Sequence, residues 1–359
     1  MTGRALQVHA GPRARALLRE RGLRAADVRA IPAAAGGPKG LVLLPLDAYL
    51  FGAWLAGAAQ TVHLLGASIG AWRMACACLP DPAGALDQLA EDYITQRYEH
   101  LPGKPPSPAH VSEVFGGVLQ QRLGLHAEAL LSHPTRRLHV FTSHGRHLLE
   151  RGGRLRTPLG YLGAYLANAV HRPALGAWLE RVVFSDPRDP LPVPLTDLRT
   201  RVVPLEAHNL HAAVLASCSI PFWLDPVHDI PGAPLGAYWD GGITDYHLHL
   251  RYASLHDGLV LYPHFQSRVV PGWFDKAWTR RHRPTPWLDN LVVLSPSPQW
   301  ASRLPGGKIP DRGDFKAYGD DVPGRMKAWR RALAESQRLA DEFAELAGRG
   351  TGLEALPLA

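Results

Sequence analysis

Cysteine is scarce in this chain of 359 residues, which contains three. A disulfide framework of the kind that stabilises small secreted domains is therefore excluded. Cys76 and Cys78 are two residues apart in a predicted helix, so their side chains face nearly opposite sides and cannot share a metal ion. We expect both to be small core residues.

Long apolar runs are also missing. No stretch reaches 18 uncharged apolar residues, so no membrane-spanning helix is predicted. Charged residues interrupt the segment 1–22 throughout, and no secretory signal is visible in it. We therefore expect a cytoplasmic protein.

Acidic residues are fewer than basic ones, which leaves a net charge of +7. An excess of positive charge favours anionic partners, either nucleic acid or phospholipid head groups, or it simply keeps a protein soluble. Zinc-finger spacing, basic-region heptads and aromatic ribonucleoprotein motifs are all absent. We expect no nucleic-acid partner.

Alternating strands and helices dominate what is present. A strand from about Val28 runs into a glycine turn and a helix, and the strand "TVHLLGAS" does the same, so one strand–helix unit precedes this second strand. Such alternation predicts an α/β fold with a mainly parallel sheet between helices. Further strands are predicted at 137–144, 181–186, 200–208, 258–265 and 290–297.

Two helical regions accompany this core. Residues 80–135 have a helical pattern around the Pro-rich linker 101–110, and residues 324–348 resemble one amphipathic helix. We expect the latter to pack on the body of the protein, with a membrane or partner role as the alternative. Its apolar face comprises Met326, Trp329, Leu333, Ala340 and Phe343. No break divides the chain, so we predict a single domain, 1–359, with a motif-bearing core at about 28–265.

A glycine turn, "AAAGGPKG", joins the first of these strands to its helix. Unpaired amides at a helix N-terminus point outward and favour negative charge. Pro38 has no N–H, so the usable donors are the amides of Gly36 and Gly37. Such a turn suits a substrate oxygen, a phosphate group, or a simple reversal of the chain.

The second turn, "GASIG", contains a candidate nucleophile. Gly66 and Gly70 flank Ser68 in the G-x-S-x-G pattern, which allows a serine to stand in a strained, exposed position between strand and helix. The amide of Ile69 would then face the same region as the serine hydroxyl. Two neighbouring strands, each ending in such a turn, supply a nucleophile and donors for an oxyanion.

A serine nucleophile needs a base, and "AYWDGG" offers Asp240. Gly241 and Gly242 permit a sharp turn beside it, and Tyr238 and Trp239 would partly desolvate the carboxylate and raise its basicity. The same D-G-G sequence is also typical of an ordinary hairpin turn.

Taken in order, "AGGPKG", "GASIG" and "WDGG" resemble the motifs of the patatin-like phospholipases over about residues 28–245. The block "AVLASCSIPFWL" (213–224) is similar to a further family segment. One departure is Ala35, which stands where the family has the first glycine of its loop. Lys39 fits the family's basic position as an anion contact.

The resemblance implies a three-layer fold and a lipid acyl hydrolase that needs no cofactor. Ser68 would attack a carboxylic ester of a phospholipid or lysophospholipid, Asp240 would accept its proton, and the amides of Gly36, Gly37 and Ile69 would hold the oxyanion. Its partners would be a lipid or acyl-ester substrate and a membrane surface contacted peripherally. Non-catalytic binding relatives, thioesterases and polyester depolymerases remain alternatives.

Histidines leave another alternative open. His247 and His249 follow Asp240 in "YHLHL", and the order Ser–Asp–His is that of the α/β-hydrolases. Against this, the hydrolase nucleophile usually comes later than one strand–helix unit into the chain. The two histidines would share one face of a strand, where metal binding is conceivable, but no third ligand is marked.

An aromatic and basic segment, 263–283, completes the candidates. Its side chains suit a lipid interface, although such aromatics are more often buried under a loop. They are Trp273, Phe274, Trp278, Arg280, Arg281 and Arg283.

Overall fold

The computed structural model describes residues 3–99 and 106–359. Its strands are β1 Leu6–Ala10, β2 Val28–Ala33, β3 Val62–Ala67, β4 Arg136–Gly145, β5 Leu179–Ser185, β6 Thr200–Pro204, β7 Val227–His228, β8 Ala237–Asp240, β9 Leu259–Pro263, β10 Leu291–Pro296 and β11 Leu356–Pro357. They form one sheet in the order β11-β1-β10-β9-β2-β3-β4-β5-β6, and β8 joins β4 and β7.

Helices flank this sheet and connect most of its strands. They are α1 Pro12–Arg21, α2 Leu44–Tyr49, α3 Ile69–Ala77, α4 Pro82–Thr95, α5 Pro108–Arg122, α6 Ala127–Leu131, α7 Arg156–Val170, α8 Ala207–Cys218, α9 Gly242–Asp245, α10 Pro298–Ala301, α11 Gly313–Tyr318, α12 Val322–Glu335 and α13 Gln337–Gly348. In the described part of the chain, no helix is long and apolar enough to cross a membrane.

The predicted α/β fold with a mainly parallel sheet is confirmed. From β10 through β9, β2 and β3 to β4, neighbouring strands run parallel. The antiparallel pairs join β1 to β10, β4 to β5 and β8 to β4 and β7. The central strands are buried along almost their whole length, which explains their continuous apolar sequences.

Two strand ends converge on one edge of β4. On that edge β3 pairs with β4 as far as Phe141, and β8 continues the pairing from Thr142 in the opposite direction. Strand β5 occupies the other edge over the same residues. The carboxyl ends of β3 and β8 therefore meet beside β4, which brings together residues from distant parts of the sequence.

One strand at the start of the chain escaped the sequence prediction. Strand β1 pairs antiparallel with β10, so two strand–helix units precede β3 rather than one. The expectation of a single preceding unit is wrong, and the argument it supplied against an α/β-hydrolase is lost. A five-residue strand whose partner lies near the other end of the chain has little local signal.

The predicted C-terminal helix is interrupted. Residues 324–348 fall in α12 and α13, which are separated at Ser336. This buried serine donates its Oγ hydrogen to the Ala332 carbonyl at 2.6 Å, a contact that often bends helices. Trp329 and Phe343 are buried, and Phe343 lies edge-on to Trp54 with ring centroids 5.0 Å apart.

The predicted helical insertion contains α4, α5 and α6. Part of its linker, residues 101–105, lies outside the described residues.

Candidate active site

Ser68 occupies the sharp junction between β3 and α3. Its backbone has φ 56° and ψ −130°, a left-handed conformation that costs a non-glycine residue of the order of 1–3 kcal/mol. The flanking glycines make room for this junction. A Cβ on Gly66 would overlap the backbone of Ala71, and a Cβ on Gly70 would overlap the carbonyl of Ala33 at the end of β2. The G-x-S-x-G spacing therefore reflects close backbone packing.

A serine that the sequence did not single out supports this junction. The amide of Ser68 donates to Ser217 Oγ at 2.9 Å, and that hydroxyl donates to the carbonyl of Phe141 at 2.7 Å. Ser217 also accepts the amide hydrogen of Gly241 on its carbonyl at 3.1 Å. The end of α8 thus connects β4 to the junctions at Ser68 and at Gly241. The small residues of "AVLASCS" were the feature of the sequence that could have indicated Ser217.

Asp240 lies at the end of β8 and contacts Ser68 directly. Ser68 Oγ donates to Asp240 Oδ2 at 2.6 Å, and the amide of Gly242 donates to Oδ1 at 2.7 Å. A Cβ on Gly241 would overlap the Phe141 carbonyl. The D-G-G sequence is therefore a strand-to-helix junction, and the hairpin alternative is wrong.

Burial raises the pKa of Asp240. The hydrogen bond from Ser68, the positive charge of Arg312, the amide of Gly242 and the more distant charge of Lys276 oppose this rise without cancelling it. The direction agrees with the sequence prediction, but Trp239 does not face the carboxylate. As the preceding strand residue it points to the other face of β8, where its Nε1 donates to the Leu149 carbonyl.

The glycine loop lies between the end of β2 and a helical segment that starts at Gly37. Gly37 has φ +57°, and a Cβ on Gly36 would stand 2.6 Å from Phe265 Cε1, so glycine suits both positions. Ala35, the departure from the family pattern, donates its amide hydrogen to the Tyr246 carbonyl at 2.9 Å.

Three amides near Ser68 are available to a ligand. Within residues 3–99 and 106–359, no protein acceptor is hydrogen-bonded to the amide of Gly36, Gly37 or Ile69. Gly37 and Ile69 line the same cavity as Ser68, and Gly36 lines an adjoining cavity with Asp240.

The histidines of "YHLHL" lie in a loop after α9, and the predicted strand there is wrong. His247 accepts the amide hydrogen of Val270 on Nδ1 at 3.0 Å, and His249 Nε2 pairs with Thr285 Oγ1 at 3.3 Å. Burial lowers the pKa of both, that of His249 to about 4. In the described part of the chain, no histidine bonds to Ser68 or Asp240.

Metal binding finds no support at these histidines. Among the described residues there is no group of three or more His, Cys, Asp or Glu side chains that could hold an ion.

The patatin-like phospholipase family matches residues 34–247, which include Ser68 and Asp240. The chain belongs to that family. No curated protein matches the sequence.

Two solved structures are similar to the chain over most of its length. VipD from Legionella pneumophila is 12% identical, with a TM-score of 0.38 over 95% of this chain and 71% of that one. The human GIVD cytosolic phospholipase A2 is 12% identical, with a TM-score of 0.37 over 96% of this chain and 65% of that one.

Two adjoining cavities open beside the Ser68–Asp240 pair of this patatin-like protein. The larger, about 730 Å³, contains Ser68 and a mainly apolar wall that includes Val111, Phe115, Ile220, Leu224 and Phe315. The smaller, about 380 Å³, is bordered by Asp240, Asp311 and three cationic side chains, Lys39, Lys276 and Arg312. Ile220, Trp223 and Arg312 border both.

Two of these cations lie beyond the segment that matches the patatin-like family. Lys276 places its ammonium 4.1 Å from the centroid of the Tyr246 ring. A Cβ on Gly37 would lie 3.3 Å from Arg312 Nε, so this guanidinium reaches the glycine loop. Lys39 lies 5.0 Å from the Phe265 ring, and burial lowers its pKa. Nothing local in the sequence marks Lys276 or Arg312 as site residues.

Proposed function

We propose that this protein hydrolyses carboxylic esters of phospholipids or lysophospholipids with Ser68 as nucleophile and Asp240 as base. The observation that carries the proposal is the direct 2.6 Å hydrogen bond from Ser68 Oγ to Asp240 Oδ2 at a strained strand–helix junction. Asp240 accepts the Ser68 proton as Oγ attacks the ester carbonyl. The raised pKa of Asp240 suits a base, because proton affinity increases with pKa.

The amides of Gly36, Gly37 and Ile69 are proposed to hold the oxyanion of the tetrahedral intermediate. They belong to two neighbouring helix N-termini, where donors and the helix dipole both favour negative charge. Collapse of the intermediate expels the alcohol with the proton held by Asp240, and leaves an acyl group on Ser68. Asp240 then takes a proton from water as its oxygen attacks the acyl-enzyme. Collapse of this second intermediate breaks the bond to Ser68 Oγ, which recovers the proton from Asp240, and the fatty acid is released.

The two cavities support a lipid substrate with an anionic head. The apolar wall of the larger cavity suits an acyl chain, since burying hydrocarbon stabilises the complex. Lys39, Lys276 and Arg312 suit a phosphate on the opposite side of the reacting carbonyl. This arrangement favours phospholipid and lysophospholipid over thioester or polyester substrates.

A substrate panel tests this proposal. Purified protein is incubated with phospholipid, lysophospholipid, neutral acylglycerol, acyl thioester and a short-chain ester, and released acid is measured by mass spectrometry. We expect acid release from the phosphate-bearing lipids in preference to the neutral one, and none from Ser68→Ala. Release by Ser68→Ala would refute the assigned nucleophile, and absence of release from every substrate would favour a non-catalytic binding protein.

A further inference from the structure

Helix α7 carries apolar side chains on the face that points away from the protein. Five exposed residues follow steps of three and four positions, which places them in one row along the helix. They are Leu155, Leu159, Leu162, Leu166 and Val170, with exposed fractions of 76%, 56%, 54%, 55% and 85%. Leu155 is the residue immediately before the helix.

The opposite face of α7 is buried against the protein. Gly160, Tyr161, Ala164 and Asn168 form that face, and residues 157–170 contain no charged side chain. A helix that is uncharged all round is normally covered on every side. An exposed apolar row of this length is typical of a binding surface.

Helix α7 also reaches the proposed substrate site, through a residue of its inner face. Tyr161, on the inner face of α7, lines the smaller cavity, and its ring centroid lies 5.6 Å from that of Trp239, the residue that precedes Asp240. Its ring is also 6.0 Å from that of Phe222. Phe222, Trp223 and Trp273 border the same cavity and are 58%, 50% and 43% exposed. Helix α7 and these exposed aromatic side chains are therefore neighbours at the entrance of the smaller cavity.

The charges around α7 are mainly positive. Residues 150–179 contain four arginines and one acidic residue, the exposed Glu150, and Arg151, Arg154 and Arg156 are exposed at the N-terminal end. Asp275, which packs behind the helix, is buried and paired with Arg172 at 2.9 Å and Arg281 at 2.7 Å. Apolar side chains flanked by exposed arginines match a bilayer that contains anionic lipids.

The sequence left two roles open for the aromatic residues of the segment 263–283, exposure at a lipid interface or burial under a loop. Neighbouring aromatics of the segment differ in this respect. Phe274 is buried against Tyr165, with ring centroids 6.0 Å apart, whereas Trp273 is exposed at the cavity mouth.

We infer that the outer face of α7, together with Phe222, Trp223 and Trp273, binds the surface of an anionic phospholipid bilayer. The leucines enter the acyl-chain boundary, the arginines lie among the head groups, and the active-site mouth opens onto the lipid. This inference rests on the proposed function, because membrane binding would bring the active site to its lipid substrate. Binding itself can be measured without hydrolysis.

Vesicle sedimentation in the Ser68→Ala background tests the docking surface, since that variant is proposed not to consume lipid. Vesicles of phosphatidylcholine with about one third phosphatidylglycerol are compared with phosphatidylcholine alone. We expect binding to the mixed vesicles and at least tenfold weaker binding to the neutral ones. The double variant Leu159→Glu/Leu162→Glu, the α7 variant, should bind the mixed vesicles at least tenfold more weakly than its parent. The matched control Leu125→Glu, which changes an equally exposed leucine elsewhere, should bind like its parent.

Three results would overturn the docking surface. The first is unchanged vesicle binding by the α7 variant, and the second is an equal loss of binding in Leu125→Glu. The third is a wild type that does not bind vesicles but forms a dimer in analytical ultracentrifugation, with the α7 variant monomeric.

Activity separates this inference from the proposed function. With Ser68 intact, the α7 variant should hydrolyse a soluble short-chain ester within twofold of wild type, which also shows that it folds, and lose activity on vesicles. Vesicle binding by a wild type that hydrolyses no ester would refute only the function.

Discussion

In the proposed mechanism Asp240 has to be charged to accept a proton, although it lies where charge is unfavourable. The residue is 5% exposed, and burial raises its pKa above that of a free aspartate, about 3.9. Only the ionised form is a base, so activity falls as pH drops through this pKa. The acidic limb of kcat/KM should therefore lie above about 3.9.

Replacing Arg312 with glutamine should move that limb further toward neutral pH. The positive charge of Arg312 favours the carboxylate, so its loss raises the pKa of Asp240, and more of the enzyme is protonated at a given acidic pH. Because Arg312 is exposed, added salt should shrink the shift. The measurement is a pH profile of kcat/KM on a neutral short-chain ester. Arg303→Gln, at another exposed arginine, serves as the control; a limb that stays in place in Arg312→Gln would contradict the electrostatic account.

Ser217→Ala should destabilise the protein. The buried amide of Ser68 loses its acceptor, and an unsatisfied buried group costs about 1–3 kcal/mol. The free energy of unfolding, measured in urea, should fall by about that amount, and kcat should fall with it. Ser219→Ala is the matched control, because its hydroxyl bonds to the Leu215 carbonyl in its own helix. An equal loss in the two variants would remove the special role of Ser217.

At the scale of the elements, the site consists of three strand-to-helix junctions. They follow β2, β3 and β8, and each depends on glycines. Backbone atoms lie where a side chain would stand after β3 and β8, whereas after β2 the Phe265 ring and the positive φ of Gly37 favour glycine. Local sequence predicted the junctions after β2 and β3, since the constraint acts on adjacent residues, but after Asp240 it indicated only a sharp turn. It failed for β1 and for the break at Ser336, where the determining contacts come from distant packing.

Gly37→Val tests the glycine loop as an element. A β-branched residue is strained at φ +57° and would contact Arg312 and Tyr93, so the amides of the loop should be displaced. Loss of one oxyanion donor costs roughly 2.7–4 kcal/mol, or about 10²–10³ in kcat. Steady-state kinetics on a short-chain ester would measure this, with Gly57→Val as control because a Cβ there meets no atom within 4 Å. Less than a tenfold loss in folded Gly37→Val would exclude these amides as the oxyanion hole.

For the whole molecule, the fold assembles the site from residues far apart in sequence. Ser68 meets Asp240 across 172 residues and Ser217 across 149. Motif residues could be predicted because the sequence pattern identifies them without the contact. The roles of Ser217, Lys276 and Arg312 could not be predicted. These residues reach the site only through the three-dimensional path of the chain around β4 and the two cavities. The outer row of α7 was not predicted, because the exposure of a helix face depends on what packs against it.

The central claim is that Ser68 is activated by Asp240 alone, and labelling by a fluorophosphonate probe tests it most directly. Intact-mass and peptide analysis should show one adduct, on Ser68, in the wild type and in His247→Ala and His249→Ala. We expect no adduct in Ser68→Ala and a rate reduced about 100-fold or more in Asp240→Asn, which retains the shape of the side chain but removes the base. Equal labelling of Asp240→Asn and wild type, or loss of labelling in a folded histidine variant, would contradict the Ser68–Asp240 dyad.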